Sequence, residues 1–179
     1  MKKGLAMTLT AIAALGMATA TTALAEDDLL AQIQEEGVMT VGTEGTYAPF
    51  TYYDDNDVLV GYDVEIAQAV AEKLGVEAEF VETSWDGIIA GLDAERFDVV
   101  FNQVTITDER EEKYNFSIPY TYAHGALIVA ADNDEIQTFE DLADYSVAAS
   151  LTSDWATMAE EYGAEVVSTT EFTESVTLV

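Results

Sequence analysis

Apolar positions along this chain switch repeatedly between helical and strand spacing. Leu29, Leu30 and Ile33 share one face of a predicted helix over residues 26–37, which Gly37 stops. Residues 38–43 read as a strand. Residues 51–53 and 58–62 flank Asp54-Asp55-Asn56-Asp57, a strong turn signal, and predict a hairpin. Asp63 is placed to cap a helix running to Leu74, whose apolar positions Ala67, Val70, Ala71 and Leu74 follow the i, i+3, i+4, i+7 pattern. Val76, Ala78 and Phe80 alternate with acids as in a strand. Trp85, Ile88, Ile89 and Leu92 form the stripe of a further helix reaching about Arg96, and residues 98–101 form another strand. Alternating strands and helices imply an α/β fold with a mostly parallel sheet.

The pattern loosens after Arg110. Residues 115–122, with Pro119, read as an extended connection. Residues 126–131 predict an apolar strand, residues 139–142 a helical turn, and residues 147–149 a strand. A helix follows with Trp155, Met158, Ala159 and Tyr162 on its expected inner face, ending at Gly163. Residues 165–167 predict a last strand, and Phe172, Val176 and Val179 begin a helix. This second unit has two or three strands, few to bury a sheet alone. The expectation is a chain that is part of a longer protein.

The stretch Asn102-Gln103-Val104-Thr105-Ile106-Thr107-Asp108-Glu109-Arg110 joins the strand at 98–101 to a short helix, with Asp108 and Glu111 at capping-box spacing. A strand that runs into polar groups and then a helix start is where open α/β sheets bind ligands. Arg110 is a candidate carboxylate clamp, because its planar fork matches two carboxylate oxygens. The plain alternative is a surface arginine paired with Glu109 or Glu112.

Charge narrows the partners. The first 25 residues combine Lys2 and Lys3, an apolar run too short for a membrane span, and Ala23-Leu24-Ala25, which together predict a cleaved export signal and a periplasmic or secreted protein. All 35 acidic residues lie after that leader, so removing it with its two lysines takes the formal charge from −29 to −31. That charge argues against nucleic acid and anionic membranes as partners. Hydrophobic residues make up 49% of the chain, enough for a core and against disorder. There is no cysteine, and His124 is the one histidine, so neither a metal site, a cofactor nor a nucleophilic triad is expected.

Four ordered segments carry a resemblance: Val41-Gly42-Thr43-Glu44-Gly45-Thr46-Tyr47-Ala48-Pro49-Phe50, Gly61-Tyr62-Asp63-Val64-Glu65-Ile66-Ala67, Thr83-Ser84-Trp85-Asp86-Gly87-Ile88-Ile89, and the stretch ending at Arg110. Together they resemble the extracellular solute-binding proteins of polar amino acid ABC transporters. Residues 102–107 and Ser150-Leu151-Thr152-Ser153 look most like the cystine-binding branch. The resemblance implies the type II periplasmic-binding-protein fold, two α/β lobes with mostly parallel sheets and a ligand between them, the second lobe incomplete here. Lobe one would cover residues 26–123 and the partial second lobe 124–179, with a crossover near His124. The family's return to lobe one, and the second-lobe carboxylate that receives the ligand ammonium, would lie beyond Val179.

The resemblance also implies roles. Arg110 would hold the ligand carboxylate, with Thr105 adding backbone and hydroxyl hydrogen bonds. Asn102 and Gln103 fall where the family directs carbonyls or small polar groups toward the ammonium. Tyr47 and Trp85 match two aromatics that sandwich the ligand; core packing is the alternative for both. Thr152 and Ser153 precede a helix whose free N–H groups suit an anion, or serve only as a cap. Asp154 departs from the expected asparagine and would repel a carboxylate unless it pointed away. Glu44 is a candidate for a ligand ammonium, or one more surface acid. Tyr62 and Asp63 are read as helix starters and His124 as a hinge residue.

The implied protein is a monomeric binding component that delivers an amino acid, cystine favoured, to a membrane permease. Rival classes are a prephenate- or arogenate-type dehydratase on the same fold and the sensing ectodomain of a receptor. The acidic, lysine-poor composition also predicts a surface suited to high salt, where the Debye length falls to about 3 Å at 1 M. The melting temperature should rise steeply between low salt and molar salt; a flat profile in thermal melts would remove this reading.

Overall fold

The computed structural model describes residues 28–179; the predicted leader lies outside the described residues. In chain order the elements are α1 (Leu29–Glu36), β1 (Val38–Thr43), β2 (Thr46–Tyr47), β3 (Thr51–Tyr53), β4 (Leu59–Val60), α2 (Tyr62–Leu74), β5 (Glu77–Glu82), α3 (Trp85–Asp93), β6 (Val99–Val100) and α4 (Asp108–Glu111). A 3-10 turn (Phe139–Leu142), β7 (Ser146–Ala149), α5 (Asp154–Glu161), β8 (Glu165–Ser168) and α6 (Phe172–Thr177) follow. The fold is α/β with two parallel sheets, as the alternating periods imply.

The first sheet has the order β5-β1-β6, all parallel. Its centre is Val41, opposite Phe80 on one side and Val99 on the other. Ile33, Met39, Val41, Ala67 and Ala71 are buried together, with Leu74, Val76 and Phe101 packed around them. The i, i+4 pair Ala67 and Ala71 therefore carries the inner face of α2. Strands β2, β3 and β4 form a small antiparallel sheet beside it, closed by the predicted hairpin turn. In that turn Asp54 accepts the backbone N–H groups of Asn56 and Val58 at 2.8 and 2.9 Å.

The second sheet is β7 and β8, parallel, over a core of Leu142, Ala159 and Ala164. Residues 126–131 correct the expectation of a strand: they join no ladder. Their alternation is real, since Leu127 and Val129 face inward while Ala126, Ile128 and Ala130 are exposed, but β7 hydrogen-bonds only to β8. The inner face of α5 is also rotated from the predicted stripe. Ala156 and Ala159 are buried, whereas Trp155 and Tyr162 sit at the margins. Two small side chains let the helix approach the sheet closely, so the large rings are displaced to its flanks.

Helix starts differ from the sequence reading in two places. Gly61, not Asp63, precedes α2, and the Asp63 carboxylate turns inward instead of capping. At α4 the cap is Thr107, whose hydroxyl accepts the Arg110 N–H at 3.3 Å; Asp108 is already inside the helix, so the Asp108–Glu111 capping box is not formed. Threonine and aspartate both cap well, and the backbone selects the residue that is still extended.

Two glycines fix how α3 lies on the first sheet. Phe97 is 2% exposed, and its ring occupies the space that side chains at Gly42 and Gly91 would take. A Cβ on Gly42 would fall 2.5 Å from the ring, and one on Gly91 2.6 Å from it, so the ring has no room to retreat from either. Gly42→Ala should therefore lower stability by about 1–3 kcal/mol as overpacking. Urea unfolding checks this, and a wild-type midpoint would refute it.

Candidate functional site

The C-terminal ends of β1 and β6 lie side by side, and the polar groups that follow them lock together. Asn102 is 1% exposed. Its amide oxygen accepts the Glu44 backbone N–H at 2.9 Å and lies 3.1 Å from the Thr43 hydroxyl, while its amide nitrogen donates to the Glu44 carboxylate at 2.7 Å. Thr51 joins from β3, accepting the Gly45 N–H at 2.8 Å. Asn102 is thus a buried clasp that aims Glu44. The carboxyl of Glu44 is held above the usual carboxylate range, chiefly by burial and further by the nearby Glu171 and Asp86. Hydrogen bonds from Asn102 and the Trp85 backbone N–H offset part of this.

Gln103 stands next, at φ +53°, a left-handed conformation for a residue with a side chain. Asp63, fully buried, holds it there: the carboxylate accepts the Gln103 backbone N–H at 2.8 Å and the side-chain amide at 2.6 Å. Burial raises the Asp63 carboxyl, and hydrogen bonds from Gln103 and the Tyr120 hydroxyl pull it back. The side chains of Asn102 and Gln103 are therefore both engaged by the protein.

Arg110 meets neither Glu109 nor Glu112; Glu109 pairs with Lys113 instead. Its guanidinium lies 5.8 Å from the centre of the Trp85 ring, donates to the Thr105 carbonyl at 3.0 Å and to the Thr152 carbonyl at 3.2 Å, and has Asp154 at 3.8 Å. Thr105 is exposed and meets Arg110 through its carbonyl. The Thr152 hydroxyl donates to Asp86 at 2.6 Å, joining the segment before α5 to the start of α3. Ser153 acts as the cap of α5: its hydroxyl donates to the Ser150 carbonyl at 2.7 Å and accepts the Ala156 N–H at 3.2 Å.

A cavity of about 490 Å³ opens between the two units. Glu44, Tyr47, Trp85, Asn102 and Gln103 line it from the first, and Ser153, Asp154, Trp155 and Phe172 from the second. Tyr47 is half-buried, its ring 5.2 Å from that of Phe50 and 6.2 Å from that of Phe172. Burial, with Glu44, Asp154 and Asp63 nearby, raises its phenol. His124 is exposed on the wall. Of the predicted residues the cavity thus gathers Glu44, Tyr47, Trp85, Asn102, Gln103 and Ser153, with Arg110 behind Trp85 and Asp154. Phe172, Asp86 and Asp63 were not singled out for this site. Their roles depend on contacts 40 or more residues away in sequence, which local spacing does not show. Among the described residues no group of acids and histidine is arranged to hold a metal, and no helix is long and apolar enough to cross a membrane.

Residues 39–175 match the bacterial extracellular solute-binding proteins, family 3. The chain belongs to that family. It is 49% identical over 142 residues to the L-cystine-binding protein TcyA of Bacillus subtilis, covering 79% of this chain and 53% of that one. A cyclohexadienyl dehydratase of Pseudomonas aeruginosa is more distant, 32% identical over 133 residues, covering 74% of this chain and 50% of that one. Among solved structures, the arginine-bound form of truncated ArgBP from T. maritima superposes with a TM-score of 0.76 at 34% identity, covering 81% of this chain and 69% of that one. The L-cystine solute receptor of Neisseria gonorrhoeae, in its unliganded open conformation, gives 0.52 at 47% identity, covering 84% and 64%. The fold is that of the type II amino-acid-binding proteins. The chain spans about half the length of the curated relatives it matches.

The raised Glu44 carboxyl has a consequence for stability. A carboxyl that binds its proton more tightly when folded favours the fold as pH falls; that contribution is complete below the ordinary carboxylate value and is lost as pH rises through the raised one. Glu44→Gln keeps a group that can accept the Asn102 amide but stays neutral. The variant should be more stable than wild type at pH 7, with the difference shrinking toward about pH 4. Thermal melts at fixed salt check this, and parallel profiles would refute it.

Proposed function

We propose that this chain binds a polar amino acid between its two α/β units and hands it to an ABC-transporter permease outside the cytoplasmic membrane, as a monomer and without making or breaking a bond. The observation that carries this reading is the environment of Trp85. Trp85 lines the cavity beside the Glu44 carboxylate, and the Arg110 guanidinium lies 5.8 Å from the centre of its ring, behind that wall, so a cation and an anion flank one aromatic face of the cavity. That pair matches the carboxylate and ammonium of an amino acid. A volume of about 490 Å³ suits a small ligand, and Tyr47 supplies a second aromatic face.

L-cystine is the favoured ligand, supported by the names of the similar proteins from B. subtilis and N. gonorrhoeae and by the placement of Glu44, since cystine carries two ammonium groups. We further assign the division between units to the connection around His124. Export through cleavage after Ala25 accords with the family's extracellular setting.

Titration calorimetry with L-cystine tests the reading. Saturable binding is expected, and Arg110→Ala should weaken it by roughly 10- to 100-fold, because charge-assisted hydrogen bonds are worth about 1.5–3 kcal/mol each. Failure of L-cystine and of other polar amino acids to bind would sink the proposal. Catalytic consumption of prephenate would move the protein to the dehydratase class, with Glu44 the first residue to examine as its acid.

A further inference from the structure

We infer that Asp154 is the residue that sets how tightly this site takes a carboxylate, by acting as a competing counter-ion for Arg110. The inference rests on the proposed role of Arg110 as the carboxylate clamp. Asp154 is the first residue of α5, in the second unit; it lines the cavity, and its carboxylate lies 3.8 Å from the Arg110 guanidinium of the first unit. The two side chains are only 20% and 14% exposed, so solvent screens the pair less than it would on an open surface. The guanidinium's hydrogen bonds go to neutral carbonyls, Thr105 at 3.0 Å and Thr152 at 3.2 Å, and its other neighbour is the neutral Trp85 ring. Asp154 thus supplies a formal negative charge where a ligand carboxylate would act. Among the described residues Arg110 is the one cation paired with Asp154, and the charged groups that act on Glu44 and Tyr47 beside this cavity are the acids Glu171, Asp86, Asp154 and Asp63.

An incoming carboxylate must therefore share or displace Asp154. In the same step it loosens a contact between the units, leaving the Thr152–Asp86 hydrogen bond at 2.6 Å as a neighbouring tie.

The test uses wild type, Asp154→Asn and Asp154→Glu. Ser153 provides the cap of α5, so the asparagine variant keeps the helix start. Calorimetry with L-cystine should show Asp154→Asn binding about tenfold tighter at low salt, the scale of one partly screened charge contact. The advantage should shrink at 1 M salt, and Asp154→Glu should restore wild-type affinity. Unchanged or weaker binding by Asp154→Asn, or a gain independent of salt, overturns the inference while leaving the amino-acid reading intact. Small-angle scattering without added ligand supplies a readout independent of binding. Asp154→Asn should have a larger radius of gyration than wild type and Asp154→Glu, and equal radii overturn the pairing even if L-cystine proves not to be the ligand.

Discussion

The cavity wall depends on a carboxylate with no exposed surface. Asp63 sits inside the start of α2, and its oxygens are claimed by the backbone and side-chain N–H groups of Gln103 at 2.8 and 2.6 Å. A buried charge is costly unless it is hydrogen-bonded, so this arrangement tolerates little displacement. Gln103 is correspondingly held at φ +53°, a conformation that costs roughly 1–2 kcal/mol for a residue with a Cβ. The two features go together: in this left-handed turn one residue presents both its backbone and its side-chain N–H groups to the buried carboxylate. The chain leaving β6 is thereby bent so that Asn102 points back at Glu44. The Tyr120 hydroxyl also acts on this carboxylate, lowering its pKa against the effect of burial, and the Tyr62 hydroxyl donates to the Tyr120 carbonyl at 3.0 Å, which ties the segment around residue 120 to the start of α2.

Much of this was legible in sequence because it is local. The pattern of Ala67, Val70, Ala71 and Leu74 identifies the inner face of α2, and the Asp54–Asp57 run marks the hairpin. What failed was the partner of a polar side chain. An aspartate near a helix start can accept its own helix's N–H groups or those of a residue elsewhere, and spacing does not distinguish them. Asp63 took the distant choice, 40 residues away, and Gly61 was left before the helix. Residues 126–131 failed for a related reason. Alternation reports which side faces the core, as Leu127 and Val129 do, but a strand also needs a neighbour to pair with. For the site, the motifs located the right loops, and the structure gave the side chains their company: Asn102 belongs to Glu44, and Arg110 to Trp85, Thr152 and Asp154.

If the proposed reading holds, a chain with 35 acids and six basic residues faces a particular problem in binding an anion. Long-range attraction is absent, so recognition must rest on contact geometry at one cation. Arg110 suits this better than a lysine would. Its delocalised charge is less strongly hydrated and can lie on the Trp85 ring, and its planar fork lets two carbonyls hold it without neutralising it. An ammonium in so acidic a setting would be drawn to whichever carboxylate lay nearest. The guanidinium is instead oriented by neutral acceptors, with a single carboxylate at 3.8 Å. The acid excess becomes an advantage at the other end of the ligand. Burial and the neighbouring Glu171 and Asp86 hold the Glu44 carboxyl up, and an ammonium beside it would relieve the same repulsion. On the proposed reading, the anion-binding end is built by orientation and the cation-binding end by charge density, as an amino-acid site on so negative a protein would require.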